Sequence, residues 1–134
     1  MQETNIHHQC LLKQVEQQEL EAKEFGFYWE NFQQLMDQIN SECDEIQEAW
    51  VNENLLHLQE EIGDLIQAAI SLAVFCKLDP HETLQKSIEK FQKRYDTVVL
   101  LAQNEGYKNL HKQSFDKLMD FWNQAKIKTN GKPF

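Results

Sequence analysis

Two acidic pairs, Glu42-x-x-Glu45 and Glu61-x-x-Asp64, are separated only by residues 46–60 in a chain that otherwise reads as helix. Residues three apart on a helix point to one side, so each pair makes a small carboxylate cluster. If the two helices face each other, four carboxylates converge. Neighbouring carboxylates suppress each other's ionisation, and a hard divalent cation with oxygen ligands, Mg²⁺ above all, resolves that conflict. None of the four acids has a Lys or Arg three or four residues away, so helix-surface pairing does not account for them. A solvated acidic face is the alternative reading.

Basic residues are scarce before this region and gather after it. Residues 1–76 contain only Lys13 and Lys23, whereas Lys86, Lys90, Lys93 and Arg94 lie on one later stretch. Glu82 and Glu89 stand four residues before Lys86 and Lys93, the favourable order for helix pairs. Lys90 and Arg94 have no such neighbour and lie one turn apart. Arg94 is the only arginine in the chain, and its forked guanidinium suits phosphate. An acidic cluster with a basic stripe suits a metal-bound polyphosphate. His57, one turn before Glu61, reads as a surface histidine or an outer group of the site. Glu-x-x-His, Walker and zinc motifs are absent from the sequence, which leaves the carboxylates and a metal to do any chemistry.

The elements that must position these residues are helices. Gly 4 and Pro 2 in 134 residues are too few for the turns of a β protein, and 41% hydrophobic residues indicate a globular, all-α chain of four to five helices in a single domain, 1–134. A first helix is expected from about Asn5 to Phe25, broken by the aromatic turn Gly26-Phe27-Tyr28-Trp29, which is either a hydrophobic plug or part of a ligand pocket. A second, about Glu30 to Trp50, carries Phe32, Leu35, Met36, Ile39, Cys43, Ile46 and Trp50 at steps of three and four, with Glu42 and Glu45 flanking the stripe. A third runs to about Cys76 and is apolar on nearly every side from Leu65, which requires cover from another copy of the chain: a homodimer or homotetramer. Gly63 lowers the helix propensity there and implies close approach of a neighbouring backbone. Asp79-Pro80-x-Glu82 is a helix start; the fourth helix turns Leu84, Ile88, Phe91, Tyr95, Val98, Val99 and Ala102 inward and ends at Gly106. Ser114 opens a last helix, and the tail from Lys128 to Phe134 is expected to be unordered.

The formal charge of -9 argues against a nucleic-acid polymer as partner. No apolar run is long enough to span a bilayer, and the first eight residues lack a signal-peptide layout. Three widely spaced cysteines, Cys10, Cys43 and Cys76, fit free thiols in the cytoplasm.

The ordered series Gly26-Phe-Tyr-Trp29, Glu42-Cys-Asp-Glu45, Glu60-Glu-Ile-Gly-Asp64, Leu78-Asp-Pro80, Lys90-Phe-Gln-Lys-Arg94-Tyr95 and Phe121-Trp-Asn-Gln124 resembles the MazG nucleoside triphosphate pyrophosphohydrolases, and most of all the second domain of the two-domain bacterial enzyme. The likeness covers about residues 22–126. It implies an all-α oligomer that uses Mg²⁺, with Mn²⁺ as a substitute, to convert nucleoside triphosphates to the monophosphate and pyrophosphate, a house-cleaning activity where the nucleotide is non-standard. By resemblance Glu42, Glu45, Glu61 and Asp64 are metal ligands, Lys90 and Arg94 act on the triphosphate, and Trp122 adjoins the nucleotide. Glu60 joins the surrounding shell. Two positions depart from the family pattern: Ser41 stands where Glu-Glu-x-x-Glu has its first acid, and Ile88 stands where Asn is usual. The competing reading is therefore a nucleotide-binding or structural helical oligomer with impaired catalysis.

Overall fold

The computed structural model describes residues 10–130. They form five α-helices, α1 (Leu11–Phe25), α2 (Phe32–Val51), α3 (Leu55–Phe75), α4 (Pro80–Asn104) and α5 (Phe115–Asn130), with no strand among the described residues. The all-α class is as the scarcity of turn residues requires. The expected helix segment 5–9, the reading of the first eight residues as lacking a signal peptide, and the tail residues 131–134 lie outside the described residues.

The helix ends follow local chemistry. Gly26, at φ 102°, ends α1; its N–H reaches the Lys23 carbonyl and the Phe27 N–H reaches that of Ala22, the paired closure that a left-handed glycine permits. Gly106 ends α4 in the same way, with Tyr107 bonded back to Ala102. Asn31 and Asn54 cap α2 and α3 by accepting from Gln34 N–H (2.9 Å) and His57 N–H (3.2 Å). Asp79 accepts from Glu82 N–H at 2.8 Å and Ser114 Oγ from Lys117 N–H at 3.2 Å. Both helix starts read from Asp79-Pro80 and Ser114 are thus made by the side chains anticipated. Among the described residues the helix starts at Leu11, because Cys10 has non-helical backbone angles. α5 runs through Asn130, so residues 128–130 of the tail expected to be unordered are helical, with Thr129 Oγ1 donating to the Ala125 carbonyl at 2.9 Å.

The chain divides into two units, the first ending at Thr83 and the second beginning at Leu84. In the first, α3 packs against both α1 and α2. The buried line of α2 is Leu35, Glu42 and Ala49, residues seven apart and hence on one side of the helix. The apolar stripe inferred from sequence holds at Leu35, buried, and at Met36, Ile39 and Ile46, half-buried; it fails at Phe32, Cys43 and Trp50, the last 70% exposed, and an acid occupies the buried line. Gly63 is corrected too. A methyl group built on it meets no atom within 4 Å, so no backbone among the described residues approaches it. On α3, Ile66 remains 58% exposed.

In the second unit, Phe121 and Ala125 of α5 and Ala102 of α4 are buried, and Tyr107 meets Phe121 edge to face, with ring centroids 6.0 Å apart. The inward apolar face expected for α4 holds at Val98, Val99 and Ala102. It fails at Leu84, Ile88, Phe91 and Tyr95, all exposed. Phe121 is fully buried, so Phe121→Ala is expected to cost about 3–5 kcal/mol. A urea melt showing a loss under about 1 kcal/mol would mean that the site collapses without a cavity.

Candidate metal centre

The crossing of α2 and α3 brings Glu42, Glu45 and Glu61 together. One carboxylate oxygen from each lies within 4.8 Å of the others. Glu42 and Glu61 are each only 7% exposed, whereas Glu45 is exposed. Glu42 is buried because it stands in register with Leu35 and Ala49; Glu45 lies one turn on, at the rim. Gln38, one turn before Glu42, donates from Nε2 to Glu42 Oε1 at 2.6 Å and fixes that carboxylate's rotamer. His57 stands beside the opposite wall, with Nε2 3.5 Å from Glu61 Oε1 and Nδ1 3.8 Å from Glu60 Oε2.

Three carboxylates this close cannot all be ionised at low cost. The strain falls on Glu61, whose pKa is pushed up to about 8, first by hydrogen bonding with Glu45 and Glu42, then by burial, then by their charges. Oε2 of Glu42 and Oε2 of Glu61 are buried without a hydrogen-bond partner. Buried polar atoms seldom stay unpaired. Oxygen-only donors, clustered acids and two orphaned lone-pair sets match what a hard divalent cation takes as ligands, so the residues fit such an ion.

A pH dependence follows from Glu61. The unfolded chain takes up its proton near the ordinary value of 4.5, the folded chain near 8. Between these values the folded state binds more proton, so this contribution to metal-free stability is fully present below about pH 4.5 and is lost as pH rises through about 8. In chelator, wild type should lose melting temperature over this range more steeply than Glu61→Gln. Parallel curves for the two proteins would contradict the assignment.

Asp64 is exposed and is not part of the three-carboxylate group. Glu60 is exposed beside His57. In the second unit, Arg94 is 6% exposed, and its Nε and Nη2 are buried without a partner. Its guanidinium carbon lies 5.8 Å from the centroid of the Trp122 ring, within cation–π range, and Phe91 contacts the same indole at 5.7 Å between centroids. Lys90 is exposed, one turn before Arg94. Sequence reasoning singled out Arg94 and Trp122 separately and did not foresee their contact. It also passed over Gln38, whose signal was its place four residues before Glu42 on the same helix.

A family model described as the MazG nucleotide pyrophosphohydrolase domain matches residues 30–99, a span containing Glu42, Glu45, Glu61, Asp64, Lys90 and Arg94 but not Trp122. The chain is 30% identical over 105 residues to a Thermotoga maritima protein named nucleoside triphosphate pyrophosphohydrolase/pyrophosphatase MazG, covering 78% of this chain and 40% of that protein. It is 29% identical over 105 residues to the Escherichia coli (strain K12) nucleoside triphosphate pyrophosphohydrolase, covering 75% of this chain and 39% of the relative. The chain therefore spans well under half the length of these relatives.

Proposed function

Because the chain belongs to the MazG nucleotide pyrophosphohydrolase domain family, we propose that it hydrolyses nucleoside triphosphates to the monophosphate and pyrophosphate with the aid of Mg²⁺, or of Mn²⁺ in its place. The observation that carries this reading is the meeting of Glu42, Glu45 and Glu61 around two buried, unpartnered oxygens. These three, joined by Asp64 from the next turn of α3, would hold the cation. Bound there, it would offset the triphosphate's negative charge and lower the pKa of a water nucleophile.

The chain's own residues have distinct parts in this reading. Gln38 holds Glu42 in one orientation through its 2.6 Å hydrogen bond. His57 restrains Glu61 and Glu60 from one side, and Glu60 or Glu45 accepts the proton of the attacking water. Arg94 offers the unpaired Nε and Nη2 edge of its guanidinium to phosphate oxygens, Lys90 adds a second positive charge, and Trp122, 5.8 Å from the guanidinium, adjoins the nucleotide.

The reaction is tested by incubating the protein with Mg²⁺ and a panel of standard and damaged nucleoside triphosphates and identifying the products. Monophosphate plus pyrophosphate is expected, with damaged nucleotides preferred if the role is house-cleaning. Absence of turnover by folded, metal-loaded protein would overturn the proposal.

A second reading rests on Ser41, exposed immediately before Glu42, and on Ile88, 59% exposed where a side-chain amide is the family habit. It makes the chain a nucleotide-binding or structural oligomer with impaired turnover. Ser41→Glu separates the two: gain of activity in an inactive protein marks a degraded enzyme, and no change in an active one shows that Ser41 is not limiting.

We also propose a homodimer or homotetramer. Ile46, Trp50, Val51, Leu58 and Ile62 line an open apolar surface around the α2–α3 elbow, of the kind that a second copy covers. No helix among the described residues is long and apolar enough to cross a membrane. Cys10, Cys43 and Cys76 are unpaired, which supports a cytoplasmic setting, and the -9 charge supports a small nucleotide rather than a nucleic-acid polymer as ligand. We read the motif series as nearest to the second domain of two-domain enzymes.

A further inference from the structure

The aromatic turn after α1 has no part in the carboxylate site, and the structure leaves it open rather than plugged. Tyr28 and Trp29 line a cleft of about 460 Å³ together with Lys23, Phe75 and Lys77, and with Glu19. All belong to the first unit, which contains only three strong bases, Lys13, Lys23 and Lys77. Two of the three therefore line one cleft of a strongly acidic chain. Neither ammonium group has an ion-pair partner among the described residues. Glu19, the one acid lining the cleft, is engaged by the Ser71 hydroxyl. Lys77 ends α3 at φ 60°, a left-handed position that glycine would occupy with less strain.

Two unpaired ammonium groups select an anion, and adjacent phenol and indole rings offer flat surface on which a heteroaromatic ring stacks. A volume of 460 Å³ is that of a small-molecule site. Phe75 lies 14 residues beyond Glu61 on α3, about 20 Å along the helix axis at its usual rise, so the cleft is distinct from the carboxylate group of its own chain. We propose that this cleft is a nucleotide-binding site separate from the carboxylate centre, holding the phosphate between Lys23 and Lys77 and the base against Tyr28 and Trp29. It operates without a divalent cation, since the lysines supply the positive charge.

The test is a titration of the full chain with adenosine monophosphate in chelator, followed by amide and indole NMR shifts. Shifts at residues 23–29, 74–77 and the Trp29 indole are expected, with Glu42, Glu45 and Glu61 unmoved. Lys23→Gln with Lys77→Gln should weaken binding about tenfold or more. Tyr28→Ala, at an exposed position, should weaken it without affecting the fold. Ribose phosphate, lacking the base, should bind more weakly than the nucleotide. No shifts at millimolar nucleotide, undiminished affinity in the double lysine variant, equal affinity for ribose phosphate, or shifts centred on the carboxylates would each overturn the proposal. An acidic peptide that displaces the nucleotide and binds more tightly would reassign the cleft to a protein partner. Hydrolysis plays no part in the measurement, so a catalytically dead protein leaves its outcome intact.

Discussion

Glu61→Gln is expected to lower pyrophosphate release by roughly a thousandfold, the scale of losing several kcal/mol of metal-assisted charge stabilisation. The substitution keeps the shape of the side chain and removes only its ability to become a carboxylate. Glu61 is the acid on which the crowding falls, with a pKa near 8; a cation must displace that proton to bind, so the residue is where metal affinity and protonation meet. Folding should survive, because an amide at this position can hydrogen-bond to Glu42 and Glu45 without adding a third negative charge. The same variant should lose most of the rise in melting temperature that Mn²⁺ or Mg²⁺ gives the wild type, an effect largest toward pH 8, where less proton competes. Retention of both hydrolysis and metal-induced stabilisation would remove Glu61 from the site.

Arg94→Met should reduce kcat/KM by about a hundredfold, with stability unchanged or raised. The two halves of this expectation have one cause. A guanidinium that is 6% exposed and has two nitrogens without partners is costly to bury, and a methionine of similar reach fills the space beside Trp122 and Phe91 without that cost. A residue kept for structure would show the opposite: lower stability with the rate per folded molecule preserved. Arg94→Lys should recover little, since an ammonium cannot present the two-pronged edge that Nε and Nη2 form.

Much of the secondary structure was legible because its signals are local. Asp79-Pro80 and Ser114 cap helices through their own side chains within three residues, and Gly26 and Gly106 end them by a backbone conformation that other residues adopt at a cost. The pairing of Glu42 with Glu45 follows equally from helix pitch. Misreadings arose where the deciding contact was distant in sequence. Gly63 suggested a close neighbour, but the space beside it is open among the described residues. Trp50 fitted the apolar period of α2, yet the helix is rotated so that Glu42 and Ala49 join Leu35 on the buried line while Trp50 stays exposed.

The sequence by itself determined which residues share a helix face, where most helices start and stop, and that acids would cluster in pairs without local basic partners. Only the tertiary structure decided that Glu42, Glu45 and Glu61 converge while Asp64 stays outside their group, that two of these acids are buried, and that Arg94 is buried against Trp122. Helix pitch fixes angles between residues of one helix, whereas convergence depends on how each helix is rotated about its own axis and where it crosses its neighbour. That rotation is set by side chains far apart in sequence. The acidic pairs accordingly announced a carboxylate cluster in the sequence, and the crossing of α2 and α3 chose which three acids form the close group.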